Sequence, residues 1–133
     1  MGLKRTKLLS IQSITGITTV GILTVGTTPT AGGVGIASTT YLRSIIMHNT
    51  GLGTATSSVY VYPSSETVSG VGKTAYRLAR VDLASNETYF FELNYPLVLI
   101  NQDKLVVEIT APASGGSGIG SIVNYQIIGD TDI

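Results

Sequence analysis

The chain has 133 residues, no cysteine, a formal net charge of zero and only 12% charged residues. This length corresponds to one domain with one core, and the lack of cysteine excludes disulfides, thiolate metal ligands and cysteine nucleophiles. The balanced charge argues against nucleic acid as a partner, because phosphate binding needs clustered basic residues, and a surface with so few charges indicates contact with other molecules.

Period-two alternation and abundant β-branched residues predict strands and little helix. The predicted strands, in chain order, are residues 7–14, 17–25, 40–48, 57–62, 76–83, 88–93, 97–100, 104–110 and 119–128. Glycine, serine, threonine and proline between strands predict three long loops, at residues 26–38, 64–74 and 111–118. Eight or nine strands in one domain predict an all-β fold, a single antiparallel β-sandwich of jelly-roll or immunoglobulin-like topology.

Local patterns predict some details of this sandwich. In the first strand we expect Leu9, Ile11 and Ile14 to face the core. The turn signal at residues 49–53, Asn-Thr-Gly-Leu-Gly, predicts a hairpin between the strands on either side of it. Residues 94–96, Asn-Tyr-Pro, predict a kink.

The two ends of the chain differ from its middle. We predict an N-terminal arm and first strand over residues 1–15 and the sandwich domain over residues 16–133. Residues 1–6 are basic and lack a strand pattern, so they fit an extended arm that reaches onto a neighbour. Polar residues interrupt the apolar stretch after Leu8, and no apolar run of bilayer-spanning length exists. Neither a cleaved signal peptide nor a membrane partner is therefore expected.

The charges are distributed unevenly along the chain. Residues 1–65 contain four basic residues and no acidic one, whereas residues 66–133 contain four basic and eight acidic residues. The two halves therefore carry formal charges of +4 and −4. If the halves formed opposite faces, copies of the chain would meet head to tail, and salt would weaken that contact.

Candidate catalytic groups are few. His48 is the only histidine and stands at the end of a predicted strand, where a local hydrogen bond is its usual role. Gly72-Lys73-Thr74 resembles the end of a phosphate-binding loop, but Thr67 occupies the position of the first glycine of that motif.

The carboxylate pairs fit ordinary positions as well. The pairs available to a glycosidase are Glu87 with Glu92 and Asp130 with Asp132, but a turn position explains Glu87 and a solvated strand position explains Glu92. Asp130 with Asp132 lack the oxygen-rich loop that fixes calcium. We therefore predict no catalytic residue, no metal, no cofactor and no enzymatic activity.

The tyrosines are the largest aromatic set, and they fit either the rim of a sandwich core or anchors at an interface. They are Tyr41, Tyr60, Tyr62, Tyr76, Tyr89, Tyr95 and Tyr125.

Five segments carry a resemblance to a known group of proteins: residues 41–51 (YLRSIIMHNTG), 59–64 (VYVYPS), 83–99 (LASNETYFFELNYPLVL), 103–105 (DKL) and 128–130 (IGD). Over about residues 40–130 the chain resembles small virion proteins of tailed bacteriophages, particularly those of marine cyanobacterial phages. The resemblance implies a β-sandwich scaffold at a structural position of the particle and supplies no catalytic residues.

The role implied is a capsid decoration or cement protein located in the virion. It would be a homo-oligomer or multi-copy component in contact with the major capsid protein or other virion proteins. We expect Lys4, Arg5, Lys7, Leu8 and Leu9 to form the attachment surface. Two alternatives are a neck or tail accessory protein and a host-surface or glycan-binding module that uses the three predicted loops.

Overall fold

The computed structural model describes residues 3–25, 27–29, 35–37, 39–68, 71–100, 102–110 and 122–132. Within these ranges the chain forms ten β-strands and one 3₁₀ turn, at Thr74–Tyr76. The strands are β1 (Leu3–Thr15), β2 (Thr18–Thr24), β3 (Thr27–Pro29), β4 (Gly35–Ala37), β5 (Thr39–Asn49), β6 (Ala55–Tyr62), β7 (Arg77–Leu83), β8 (Thr88–Ile100), β9 (Lys104–Thr110) and β10 (Ile122–Asp132).

Eight strands form two antiparallel four-stranded sheets that pack face to face, which confirms the predicted sandwich. Sheet A has the order β1-β10-β5-β8, and sheet B has the order β2-β9-β6-β7. β3 and β4 form a separate two-stranded ribbon inside the predicted loop 26–38, so that loop is not without regular structure. The predicted loop 111–118 and the beginning of the predicted strand 119–128 lie outside the described residues.

The pairing of the eight strands is nested. β1 pairs with β10, β2 with β9, β5 with β8, and β6 with β7. These pairs correspond to one long two-stranded ribbon that is rolled up, and the β10–β5 and β9–β6 ladders close the two sheets. Nested pairing with this sheet order is the jelly-roll arrangement, so the strand order decides between the two predicted topologies.

The predicted hairpin between β5 and β6 is wrong, because β5 lies in sheet A and β6 in sheet B. The buried Asn49 side chain fixes this crossing. Its Nδ2 donates to the carbonyl oxygens of Gly53 (2.9 Å) and Leu83 (2.8 Å), and its Oδ1 accepts from the Gly51 amide (2.8 Å). The turn residues therefore lead the chain between sheets instead of reversing it within one sheet.

The predicted strands 88–93 and 97–100 form one strand, β8, and the predicted kink is a break in its register. Ser44 pairs with Glu92, but the next pair is Leu42 with Leu97. Several residues of β8 around Pro96 therefore oppose a single residue of β5, as in an extended bulge.

The basic and acidic halves of the chain do not segregate. In both sheets every hydrogen-bonded neighbour of a first-half strand is a second-half strand, because the pairing is nested. For example, Arg43 of β5 lies 2.6 Å from the carboxylate of Asp130 on β10, so a basic residue of the first half is paired with an acidic residue of the second half. The condition for a head-to-tail charge contact between copies is therefore not met.

The core lies between the sheets. Its fully buried members include Leu42, Ile45, Met47, Val59, Leu105, Val107, Ile109, Val123, Tyr125 and Ile127. Burial raises the pKa of Tyr125 to about 12, although its 2.6 Å hydrogen bond with Ser57 acts in the opposite direction.

The core prediction for β1 is correct at two of its three positions. Ile14 is buried and Leu9 packs against the core, but Ile11 is 67% exposed. The register of β1 against β10 shifts between Leu9 and Gln12. The side chains between them therefore do not alternate regularly between the two faces, and Ile11 lies on the outer face.

Candidate interaction surfaces

The predicted attachment segment is part of sheet A. The backbones of Lys4 and Arg5 pair with Thr131 and Asp130 of β10, so residues 3–6 form the edge strand and not the predicted free arm. The physical reason is that pairing with β10 satisfies backbone groups that a free arm would leave to water or a neighbour.

The side chains after this point divide between solvent and core. Lys7 is exposed, whereas Leu8 and Leu9 are partly buried and pack against the main core. The two leucines therefore already have a partner within the domain. The attachment role of Lys4, Arg5, Lys7, Leu8 and Leu9 stays a prediction.

The outer face of sheet A carries an apolar patch. Ile11 is 67% exposed and Phe90 59% exposed, and Ile46 lies between them because it pairs with Phe90 on one side and Gln126 on the other. We call Ile11, Ile46 and Phe90 the sheet A patch. Next to it is a shallow pocket of about 180 Å³, lined by Ile11, Ile46, His48, Asn124, Tyr125 and Gln126.

The sheet A patch continues onto a sheet edge. Among the strands that the structure describes, β8 is the last in sheet A and pairs with β5 alone. Natural edge strands are usually protected by charge, proline or bulges. Pro96 and the register break protect the second half of β8, while the first half, up to Glu92, carries a single charge. The exposed large apolar side chains of β8 are Tyr89, Phe90, Tyr95, Val98 and Ile100.

The residues considered for catalysis take structural positions. His48 Nδ1 and Thr88 Oγ1 lie 2.7 Å apart, which confirms the predicted local hydrogen bond. Glu87 accepts a hydrogen bond from the Ala84 amide (2.9 Å) within the turn, and Glu92 is exposed on β8. Lys73 pairs with Glu66.

The carboxylates of the described residues also form no metal cluster. Asp130 is buried and paired with Arg43, and the side chain of Asp132 lies outside the described residues. Across the parts of the chain that the structure describes, no group of three histidine or carboxylate side chains comes together as a metal site would require.

The outer face of sheet B holds a cluster of charged and polar side chains, and a bulge contributes to it. Val59 pairs with Ala79 and Tyr60 with Arg77, so Leu78 is the extra residue between them. In a regular strand, residues 77 and 80 would point to opposite faces. The bulge turns Arg77 onto the same face as Arg80, which pairs with Ser58.

A segment between β6 and β7 crosses this face, and we call its described residues, 63–68 and 71–76, the strap. Tyr76 packs its ring on Tyr62 at a centroid distance of 5.5 Å, and the Lys73 amide donates to the Tyr62 hydroxyl (2.8 Å). Gly72 lies so close to the Tyr60 ring that an added Cβ would be 2.3 Å from it. Aromatic contacts therefore hold the strap against the sheet, and position 72 has room only for the hydrogen atom of a glycine.

Glu108 joins the strap to the sheet. Its carboxylate accepts hydrogen bonds from the Tyr60 hydroxyl (2.6 Å), the Gly72 amide (3.0 Å) and the Thr19 hydroxyl (2.9 Å). Burial raises the pKa of Glu108, but these three hydrogen bonds and the positive charge of Arg77 outweigh it and leave the pKa below its usual value. Burial, followed by the bond to Glu108, raises the pKa of Tyr60. Glu108 is therefore held as a carboxylate.

We expect Glu108→Gln to lower the free energy of unfolding at pH 7 by about 2 kcal/mol, because an amide cannot accept all three hydrogen bonds. Since the folded pKa lies below the unfolded value, this stabilisation is present above about pH 4.3 and is lost as the pH falls through the folded pKa. Urea unfolding at pH 7 and pH 3 measures the difference. The loss of unfolding free energy in Glu108→Gln should be smaller at pH 3 than at pH 7. The control is Glu92→Gln, at an exposed site, which should have the stability of the wild type at both pH values. A difference independent of pH would contradict the assignment.

A pocket of about 340 Å³ opens between the strap and β7. Its lining residues are Ser58, Tyr60, Val71, Gly72, Thr74, Arg77, Arg80, Glu108 and Thr110. Sequence reasoning missed this site, since the bulge depends on pairing with β6. The one available signal was the carboxylate of Glu108 inside the apolar run KLVVEIT.

No protein-family model matches the chain, and no curated protein matches it. In the described ranges there is also no helix with the length and hydrophobicity needed to cross a bilayer.

Proposed function

We propose that this chain is a structural component of a phage virion, a capsid decoration or cement protein that stabilises the shell through surface contacts. It would act in multiple copies against the major capsid protein or other virion proteins. The sheet A patch, with the open edge of β8 beside it, is the observation that carries the proposal. The resemblance of residues 40–130 to small virion proteins and the jelly-roll scaffold, which recurs in viral capsid proteins, support it.

The surface has the properties that cement needs. Burying an exposed Phe or Ile side chain against a partner contributes roughly 1.5 to 3 kcal/mol. Phe90 and Ile11 are the two most exposed members of the patch. The free side of β8 adds main-chain hydrogen bonding, because an unpaired edge can accept a strand from a neighbouring molecule.

The use of the reactive side chains also supports a structural role. His48 and Glu87 each hold a local turn or strand contact, and Asp130 is paired with Arg43. A rigid scaffold with its polar groups satisfied can press on other subunits without chemistry at its surface. This reasoning supports the proposal that the protein is not an enzyme.

Phe90→Asp is expected to remove the protein from assembled particles, because it places an unpaired charge inside the buried contact. Occupancy should fall at least about tenfold, which corresponds to a loss of 1.4 kcal/mol or more. Copies per particle, measured by cryo-electron microscopy or quantitative mass spectrometry of particles from the native source, give the readout.

The matched control is Leu52→Asp, since Leu52 is 96% exposed and lies on the connection between the sheets, away from the patch. It should leave occupancy unchanged. Thermal unfolding of both variants checks that each is folded. Normal occupancy of folded Phe90→Asp would overturn the role of the patch, and absence of the wild-type protein from particles would overturn the virion assignment.

A neck or tail accessory role uses the same surface and differs only in position, which the same particle images resolve. A host-surface or glycan-binding role is the second candidate, and one observation favours it. Part of the predicted loop 64–74 lines the polar pocket over sheet B. That pocket is a concave site with converging polar groups, as binding modules have.

A further inference from the structure

The pocket over sheet B is lined by two arginines, Arg77 and Arg80, which lie on the same face of β7. Arg77 interacts with the Tyr60 hydroxyl and the Glu108 carboxylate, so its positive charge is partly neutralised within the protein. Arg80 is exposed, and its guanidinium group forms no hydrogen bond or ion pair with the described residues. With Glu108 as the single carboxylate among the lining residues, the lining carries a net positive charge of one. The pocket is therefore suited to a single anionic group.

The other polar groups of the pocket lining can form hydrogen bonds with the hydroxyl groups of a ligand. A carboxylate can accept about four hydrogen bonds, and Glu108 accepts three from the protein, which leaves one acceptor site. Thr74 and Thr110 supply hydroxyl groups that both donate and accept, and the Ser58 hydroxyl, which already hydrogen-bonds to Tyr60, keeps acceptor capacity. Val71 adds an apolar wall. A ligand that satisfies all of these groups has one carboxylate next to several hydroxyls.

The size of the pocket limits the ligand further. Small-molecule sites begin at about 300 Å³, and this one measures about 340 Å³. It therefore accommodates one sugar ring and not a long chain in full.

We propose that the pocket over sheet B binds an acidic sugar, with the sugar carboxylate held by Arg80 and Arg77 and its ring hydroxyls by Glu108 and the threonine and serine hydroxyls. Paired guanidinium groups bind planar carboxylates through parallel hydrogen bonds, which gives both affinity and orientation. The inference rests on the second candidate, the glycan-binding role, and not on the assembly role, because the pocket lies on the sheet opposite to the sheet A patch.

The test is a titration of the ¹⁵N-labelled full chain with sodium glucuronate, glucose and sodium acetate, followed by amide chemical shifts. Glucuronate should bind at least fivefold more tightly than either of the others, with the largest shifts at Gly72, Thr74 and Arg80. Equal binding of acetate would reduce the site to a simple carboxylate site. Equal binding of glucose would remove the role of the arginines. Either result, or no binding of glucuronate, overturns the proposal.

Variants locate the site. Arg80→Met should weaken glucuronate binding by about tenfold, as for loss of one charge-assisted hydrogen bond, and Arg80→Lys should recover part of it. Leu52→Ala is the control, since Leu52 is 96% exposed on the connection between β5 and β6 and lies outside the pocket lining. It should leave the affinity unchanged. Unaltered binding by Arg80→Met would place the sugar elsewhere and reject the site.

Discussion

Asn49→Ala is expected to lower the melting temperature of the protein by about 10 °C. The Asn49 side chain is fully buried and makes three hydrogen bonds to the backbone of Gly51, Gly53 and Leu83. Alanine leaves these backbone groups without their partner, at about 1 kcal/mol or more each. A loss of about 3 kcal/mol in a domain of this size corresponds to the stated shift.

The position of Asn49 explains why the effect is large. Its own backbone also accepts from the Asn86 amide (2.7 Å) and donates to the Glu87 carbonyl (3.0 Å). One residue therefore connects the end of β5, the crossing to β6 and the turn between β7 and β8. Differential scanning calorimetry measures the change, and Asn94→Ala is the control because Asn94 is exposed on β8. A shift for Asn49→Ala no larger than that of the control would show that the crossing does not depend on this amide.

Gly129→Ala is expected to destabilise the protein by about 3 kcal/mol, the upper range for overpacking. Gly129 is buried in β10, and an added Cβ would lie 2.2 Å from the Tyr41 carbonyl oxygen and 2.8 Å from Leu8 Cδ1. The Leu8 side chain can move, but a strand carbonyl in a paired ladder cannot move without breaking its own hydrogen bonds. The strands β10 and β5 must therefore separate locally to admit a methyl group.

The matched control is Gly53→Ala, because an added Cβ there has nothing within 4 Å. It should change the free energy of unfolding by less than about 0.5 kcal/mol, since exposed substitutions away from special contacts have small effects. Urea unfolding of both variants gives the comparison. Equal stability of the two would mean that β10 accommodates a side chain where the geometry leaves no room.

The strands could be predicted well because alternation is a local signal. The strand predicted at residues 104–110 is β9 itself, and that predicted at residues 40–48 differs from β5 by one residue at each end. The hairpin prediction failed because an Asn-Gly-rich turn has the same composition whether it reverses a strand or passes to the other sheet. The difference lies in the partners of Asn49, which come from β7, far along the chain.

The candidate sites could likewise be predicted only where the signal is local in the sequence. The exposed apolar residues of β8 could be located on a strand, but nothing local indicates that β8 is an edge, since its position depends on which strand pairs with β5. The pairing of Arg77 with Tyr60 across a bulge also depends on β6. A spacing of three residues in a strand predicts opposite faces, and only the long-range register reverses that expectation.

The nested pairing also determines when the chain can fold during its synthesis. β6 and β7 are close in sequence and can pair as soon as both have left the ribosome, followed by β5 with β8. β1 is synthesised before the other strands of the sandwich but pairs with β10, where Leu3 is opposite Asp132, so its backbone stays unpaired until β10 has been made. We therefore expect the inner strand pairs to form before the outer ones, the sandwich to be completed only once β10 has left the ribosome, and β1 to need chaperone protection until then.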